Sequence, residues 1–188
     1  MGFYDDEKNV DQYISMCDGY DGSNLYTLVE KHLSGGSTML ELGTGPGFDL
    51  AHWKDKYKVT ASDLSEEFIK RGTINFPDVE FKQLDAVTID VEGTFDCLYS
   101  NKVLHHLNLE ELERSLQRQK QVIAPGGLFA HTFWLGEKED TMHGMYFLFH
   151  DREKLLKLVS KYFNVIDTLD YMEFEEDDSI FIIAQNNE

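Results

Sequence analysis

Apolar positions near the start of the chain fall three and four apart. Val10, Tyr13, Ile14 and Cys17 share one face at helical spacing. Asp18-Gly19-Tyr20-Asp21-Gly22 breaks that helix. Ser23 is expected to cap a second one, with Leu25, Leu28, Val29 and His32 on one face and Gly35-Gly36 as its stop. The period then changes. Residues 38–42 are a short apolar run of strand type, followed by a glycine-rich turn and a helix bearing Phe48, Leu50, Ala51 and Trp53. Residues 58–62 read as a second strand, and Ser65 caps the next helix with Glu66 and Glu67 in its first turn. Residues 79–84 and 95–100 read as strands three and four. Asn108 with Glu111 three places on is a capping-box start for a helix carrying Leu112, Leu116 and Val122. Ala124-Pro125-Gly126-Gly127 predicts an abrupt stop, and 128–133 a fifth strand. Asp151 opens a helix with Leu155, Leu156, Leu158 and Val159, and strands at 164–171 and 179–185 flank the acidic turn 173–178.

Five strands alternating with helices imply a parallel sheet covered on both faces. No helix separates the last two strands, so they form an antiparallel hairpin on a sheet edge. The expected fold class is α/β: a Rossmann-like three-layer sandwich with a seven-stranded, mostly parallel sheet, an antiparallel C-terminal edge hairpin and an N-terminal helical cap.

Composition narrows the function. The 188 residues suit one domain, and 41% hydrophobic content with 13 Phe, 9 Tyr and 2 Trp fills a core. Seventeen Lys+Arg against 35 Asp+Glu give a net charge of −18, which argues against nucleic acid and against an anionic membrane surface. The densest basic run, 54–58, itself contains Asp55. Cys17 and Cys97 are too few for a disulfide framework or a four-cysteine metal site. No apolar stretch approaches the roughly 20 residues that cross a bilayer. Gly2 lacks the Ser or Thr at position 6 that myristoylation requires, since Asp6 stands there. These features predict a soluble, cytoplasmic protein.

Glu41-Leu42-Gly43-Thr44-Gly45-Pro46-Gly47 stands where the first strand turns into a helix. Glycines there let a ligand approach the backbone and leave helix-terminal N–H groups free to bond it. A dinucleotide site requires a third glycine at position 48, which is Phe, so NAD and FAD are disfavoured. No Gly-Lys-Ser/Thr follows for a P-loop. A phosphate-free nucleoside needs less room. Asp63 ends the second strand twenty residues after Gly43, the spacing at which a carboxylate accepts ribose hydroxyls. Asp85, in Gln83-Leu84-Asp85-Ala86, suits an adenine amino group with the Ala86 N–H on a ring nitrogen. A solvated turn is its plain alternative.

Together these segments resemble the class I S-adenosylmethionine (SAM)-dependent methyltransferases, over about residues 39–133. Asn101-Lys102-Val103-Leu104-His105-His106-Leu107 is similar to the Val-Leu-His-His stretch of small-molecule members, and Ile123-Ala124-Pro125-Gly126-Gly127 to the family's Leu-Lys-Pro-Gly-Gly turn. The resemblance implies the strand order 3-2-1-4-5-7-6 and SAM as cofactor. It implies cofactor contacts at Glu41, Gly43, Thr44, Gly45, Gly47, Asp63, Leu64, Asp85, Ala86 and Asn101, with Tyr20 as a lid residue from the cap. Residues 1–36 are then a helical cap, 37–133 the cofactor-binding core and 134–188 a substrate-side insertion with the edge hairpin.

Methyl transfer from a sulfonium needs mainly a nucleophile held in line, so no catalytic side chain is assigned. His105 and His106 follow the fourth strand, where a neutral His suits a general base or plain packing. His105, His131 and Trp134 are the expected substrate contacts, with His143 and His150 near them, and the aromatic, Met-rich segment 135–149 is expected to shape the pocket. No metal is expected, because no two His fall at i, i+4 and no His-Glu-x-x-His occurs. The Asn/Asp-Pro-Pro-Tyr/Phe motif of amino-methylating members on nucleobases or glutamine is absent. The expected function is methylation of a small-molecule acceptor, in an oligomeric state the sequence leaves open. A non-catalytic SAM-binding regulator and a protein methyltransferase are the alternatives.

Overall fold

The computed structural model describes residues 3–142 and 144–187, with Asp5 by its backbone alone. His143 and Gly2 lie outside the described residues. In chain order the elements are α1 (Glu7–Met16), α2 (Ser23–His32), β1 (Thr38–Leu42), α3 (Phe48–Trp53), β2 (Lys58–Asp63), α4 (Glu66–Asn75), β3 (Glu80–Gln83) and β4 (Phe95–Ser100). Then follow α5 (Leu109–Val122), β5 (Ile123–Trp134), β6 (Glu139–Met142), β7 (Met145–Leu148), α6 (Arg152–Val159), β8 (Asn164–Tyr171) and β9 (Ser179–Gln185).

Seven strands form one sheet in the order β3-β2-β1-β4-β5-β9-β8. β1 to β5 run parallel, and β9 is antiparallel to both β5 and β8. The alternation of strand side chains decides the layers. Leu40, Leu42, Leu98, Phe129 and Ile182 face α5 and α6, which contribute Leu112, Leu116, Leu155 and Val159. Met39, Cys97, Tyr99, Ala130 and Ile183 face α2 and α3, which contribute Leu25, Val29 and Trp53. Strands buried on both faces are what a helix-covered parallel sheet demands.

Two local expectations are corrected. Ser23 does not cap α2: Gly22 is the N-cap, and the Ser23 N–H instead donates to Asp21 Oδ1 at 2.9 Å. An aspartate two residues upstream offers the stronger acceptor. Ala124-Pro125-Gly126-Gly127 ends α5 but does not delay the strand, because β5 already pairs at Ile123 with Phe95. The register shift before Leu128 makes this segment a bulge, pinned by the Asn186 N–H donating to the Gly127 carbonyl at 2.9 Å. Within 135–149 the chain forms a separate antiparallel hairpin of β6 and β7.

The N-terminal segment is tied across the strand ends. Arg71 of α4 reaches Asp11 of α1 at 2.6 Å, and Ser65 Oγ donates to the Tyr4 carbonyl. The rings of Tyr4, Tyr13 and Phe68 cluster with centroids 5.1 to 6.1 Å apart. No helix among the described residues is long and apolar enough to cross a membrane.

Candidate active site

A cavity of about 520 Å³ opens beside the C-terminal ends of β1 to β4. Of the sequence-derived cofactor positions, Gly43, Gly45, Asp63, Leu64, Asp85, Ala86 and Asn101 line it. Glu41, Thr44, Gly47 and Tyr20 do not, and neither do His105, His131 or Trp134. Tyr13 closes over the loop: a side chain built on Gly45 would find nothing nearer than 4.0 Å, the Tyr13 ring among its first neighbours. Gly43 and Gly45 both take the left-handed region, at φ +65° and +53°. At Gly43 a Cβ would also come within 2.4 Å of Val103.

Three N–H groups of the loop are engaged. Thr44 N–H donates to the Ser62 carbonyl (2.8 Å), Gly47 N–H to the Thr44 carbonyl (3.0 Å) and Gly45 N–H to Asp63 Oδ2 (2.9 Å). Two of these bonds tie the loop to the end of β2. Gly47, at φ +86°, serves packing, since a Cβ there would meet Phe76 at 2.6 Å.

Asp63 accepts from Gly45 N–H through one oxygen and from Ser65 N–H through the other, both at 2.9 Å. A carboxylate has about four lone-pair sites, so capacity remains toward the cavity. Burial raises this carboxyl above its ordinary value, and those backbone N–H groups pull it back. Asp85 is exposed; its Oδ1 accepts the Val87 N–H at 2.7 Å, which is the turn role, while the residue also lines the cavity.

Asn101 belongs to a buried network centred on Asp49. Tyr20 and Tyr26 hydroxyls donate to Asp49 Oδ1, both at 2.7 Å, and the Tyr99 hydroxyl donates to Oδ2 at 2.9 Å. Asn101 Nδ2 donates to Tyr20 Oη (2.8 Å) and to Asp49 Oδ2 (3.2 Å). Tyr20 is thus anchored in this network and not on the cavity wall. Sequence reasoning missed Asp49; an acid in the first turn of the helix after the glycine loop was the available signal. Glu41 lies enclosed beneath the loop with Oε2 unpartnered. Burial, then the charge of Asp49, holds its carboxyl well above the usual range. No ion pair among the described residues involves Glu41, Asp49 or Asp63. Asp63, on the wall of this nucleoside-sized cleft and without a cation among the described residues, fits a ligand that carries a diol, as SAM does.

The histidines separate. His105 is buried, stacked on Phe147 with centroids 5.4 Å apart, and burial holds it well below its ordinary value. His131 is fully buried with Nδ1 2.6 Å from Ser100 Oγ, and burial pushes it down to about 3. His150 is likewise buried, down at about 4. His106 reaches the cavity, its Nδ1 2.9 Å from the Tyr146 carbonyl. Trp134 stands beyond the cavity among Phe149, Phe174 and His105. Phe3, Tyr4 and Phe68 line the cavity without a sequence signal for it, while Met145 and Tyr146 line it from the segment 135–149. Among the described residues no group of three or more His, Cys, Asp or Glu is placed to hold a metal ion.

Residues 39–127 match the family model of the methyltransferase domain. The fold is similar to that of the Burkholderia thailandensis 1,6-didemethyltoxoflavin-N1-methyltransferase, solved with 1,6-didemethyltoxoflavin and S-adenosylhomocysteine. That likeness has a TM-score of 0.80 and 20% identity, over 95% of this chain and 83% of that one. It is also similar to the N-methyltransferase NodS of Bradyrhizobium japonicum WM9 in complex with S-adenosylhomocysteine, at TM-score 0.78 and 13% identity, over 100% of both chains. The [4+2]-cyclase SpnF aligns at TM-score 0.68 and 18% identity, over 89% of this chain and 84% of that one. At such identities these likenesses are of fold, and the family model bears on the cofactor half of the chain. Residues 39–127 thus match a methyltransferase domain, and the chain shares the fold of SAM-dependent methyltransferases solved with S-adenosylhomocysteine.

Proposed function

We propose that this protein methylates a small-molecule acceptor, with SAM held in the cavity beside the glycine loop. SAM, when bound, supplies a methyl group made electrophilic by its sulfonium. In this reading Gly43 and Gly45 let the ligand lie against the backbone, Asp63 accepts the ribose hydroxyls, and Asp85 with the Ala86 N–H meets the adenine edge. Leu64 covers the base. Tyr4, Tyr13 and Phe68 exclude water. The small-molecule ligand bound to the toxoflavin-pathway neighbour supports an acceptor of that size. The cytoplasm, with its reduced thiols, is the compartment this reading assigns.

One observation carries it: strand-end acids and a left-handed glycine pair converge on one cavity, and the Gly45 N–H is already bonded to Asp63. That combination suits a nucleoside without phosphates. Calorimetry should show S-adenosylhomocysteine binding and negligible NAD binding. Asp63→Ala should weaken S-adenosylhomocysteine more than about tenfold, the scale of a lost charge-assisted hydrogen bond. Unchanged affinity in that variant removes the ribose assignment, and tight NAD binding with none for SAM replaces the reading with an oxidoreductase one. Release of S-adenosylhomocysteine from SAM in a metabolite pool separates an enzyme from a binding protein.

A further inference from the structure

Lys102 follows Asn101 at the end of β4 with φ +56°, a left-handed conformation that a side chain disfavours. Its N–H is held there by Thr132 Oγ1 at 2.7 Å. The backbone turn sends the side chain across the sheet ends into a bay between β5 and the β8–β9 turn. There Nζ lies 5.0 Å from the Trp134 ring centre and 5.1 Å from that of Tyr171. It donates to Ser179 Oγ at 2.6 Å, and Glu173 stands 3.7 Å away.

This charge is poorly compensated. Only 13% of the lysine side-chain surface is open, and its carboxylate partner is beyond good hydrogen-bond distance on a turn where Glu173 is 28% open. A pair of that kind gives back less than the ammonium loses on leaving water. Burial accordingly pulls the amine down to about 8. The bay also holds a buried Trp134 Nε1–H without a partner. Beside Glu173, Met172 and Phe174 are 68% and 72% exposed, and the Phe174 ring lies 5.5 Å from that of Trp134. In a chain of net charge −18, long-range potential repels anions, so an anion needs a specific cation to bind at all.

We propose that Lys102 anchors an anionic group of the methyl acceptor, which is an apolar-bodied acid whose carboxylate takes the place of Glu173 beside the ammonium. The inference rests on the methyltransferase reading and names the class of acceptor. The apolar body lies on Trp134 and Phe174, and Lys102, itself on the wall of the cofactor cavity, sets the acid next to the cleft. Glu173 and Asp178 from the turn, Tyr171 from β8 and His105 are the titratable groups facing this amine.

The test is calorimetry of the protein saturated with S-adenosylhomocysteine, titrated with benzoate and with benzamide. Benzoate should bind at least tenfold tighter than benzamide. Lys102→Met should lose that preference at unchanged S-adenosylhomocysteine affinity, Lys102→Arg should keep it, and Glu173→Gln should strengthen benzoate at least twofold. The preference should fade between about pH 7 and pH 9.5 as the amine loses its proton. No benzoate binding to the loaded wild type, equal binding of the two probes, or benzoate affinity kept within twofold by Lys102→Met overturns the proposal. A protein that fails to bind S-adenosylhomocysteine overturns the methyltransferase reading instead.

Discussion

Buried titratable side chains set how single residues respond to pH. Glu41 has a folded-state value above that of the unfolded chain, because burial and Asp49 disfavour its charge. The folded state then holds the proton longer, so stability falls as pH rises above about 4.5. Glu41→Gln removes that slope and should exceed wild type in urea midpoint at pH 7, the gap closing toward pH 4.5. His131 has the opposite sign. Burial pushes it down to about 3 from 6.5, so the unfolded chain takes the proton first and stability is lost as pH falls through that window. One such group contributes about 1.4 kcal/mol per pH unit there. His131→Asn should flatten the acid limb of a denaturation series by about that slope; an unchanged limb would refute the assignment. Neither residue announced this in the sequence. Glu41 reads as a motif acid and His131 as a substrate contact, because enclosure is a property of the packed sheet.

Elements were legible where their signals are local. Ser65, Asn108 and Asp151 accept the N–H groups their positions predict, and Asn108 with Glu111 completes both halves of a capping box. Asn108→Ala should therefore cost about 1 kcal/mol, seen as a melting temperature lower by about 2–4 °C. Gly72 brings α4 against β3, where a Cβ would come within 2.3 Å of the Phe81 ring. Gly72→Ala should destabilise by about 1–3 kcal/mol through overpacking, despite the better helix propensity of alanine. The β6–β7 hairpin escaped notice because four-residue strands with half-exposed faces carry no clear period. The Pro-Gly-Gly bulge was hidden because its pairing depends on Asn186, some sixty residues on.

At the scale of the molecule, carboxylates outnumber cations by 18, and their mutual repulsion opposes compaction. Raising NaCl from about 50 to about 500 mM shortens the Debye length from roughly 14 to 4 Å and should raise the melting temperature; a fall would mean that the surface ion pairs outweigh the repulsion. The cleft was readable in its strand-end half, where Gly43, Gly45, Asp63 and Asp85 sit at fixed offsets along the chain. Its roof was not, because Phe3, Tyr4 and Tyr13 reach it from a helical segment whose stripe reads as ordinary core.

One consequence of the strand order concerns synthesis. β9 is made after β8 yet lies between it and β5, so the sheet is closed from within by a segment that emerges late from the ribosome. Until that segment arrives, β5 waits with an open flank and β8 has no neighbour. A nascent chain halted before residue 179 should therefore be protease-sensitive and dependent on chaperones, and the protected form should emerge in one step when the last strand slots in.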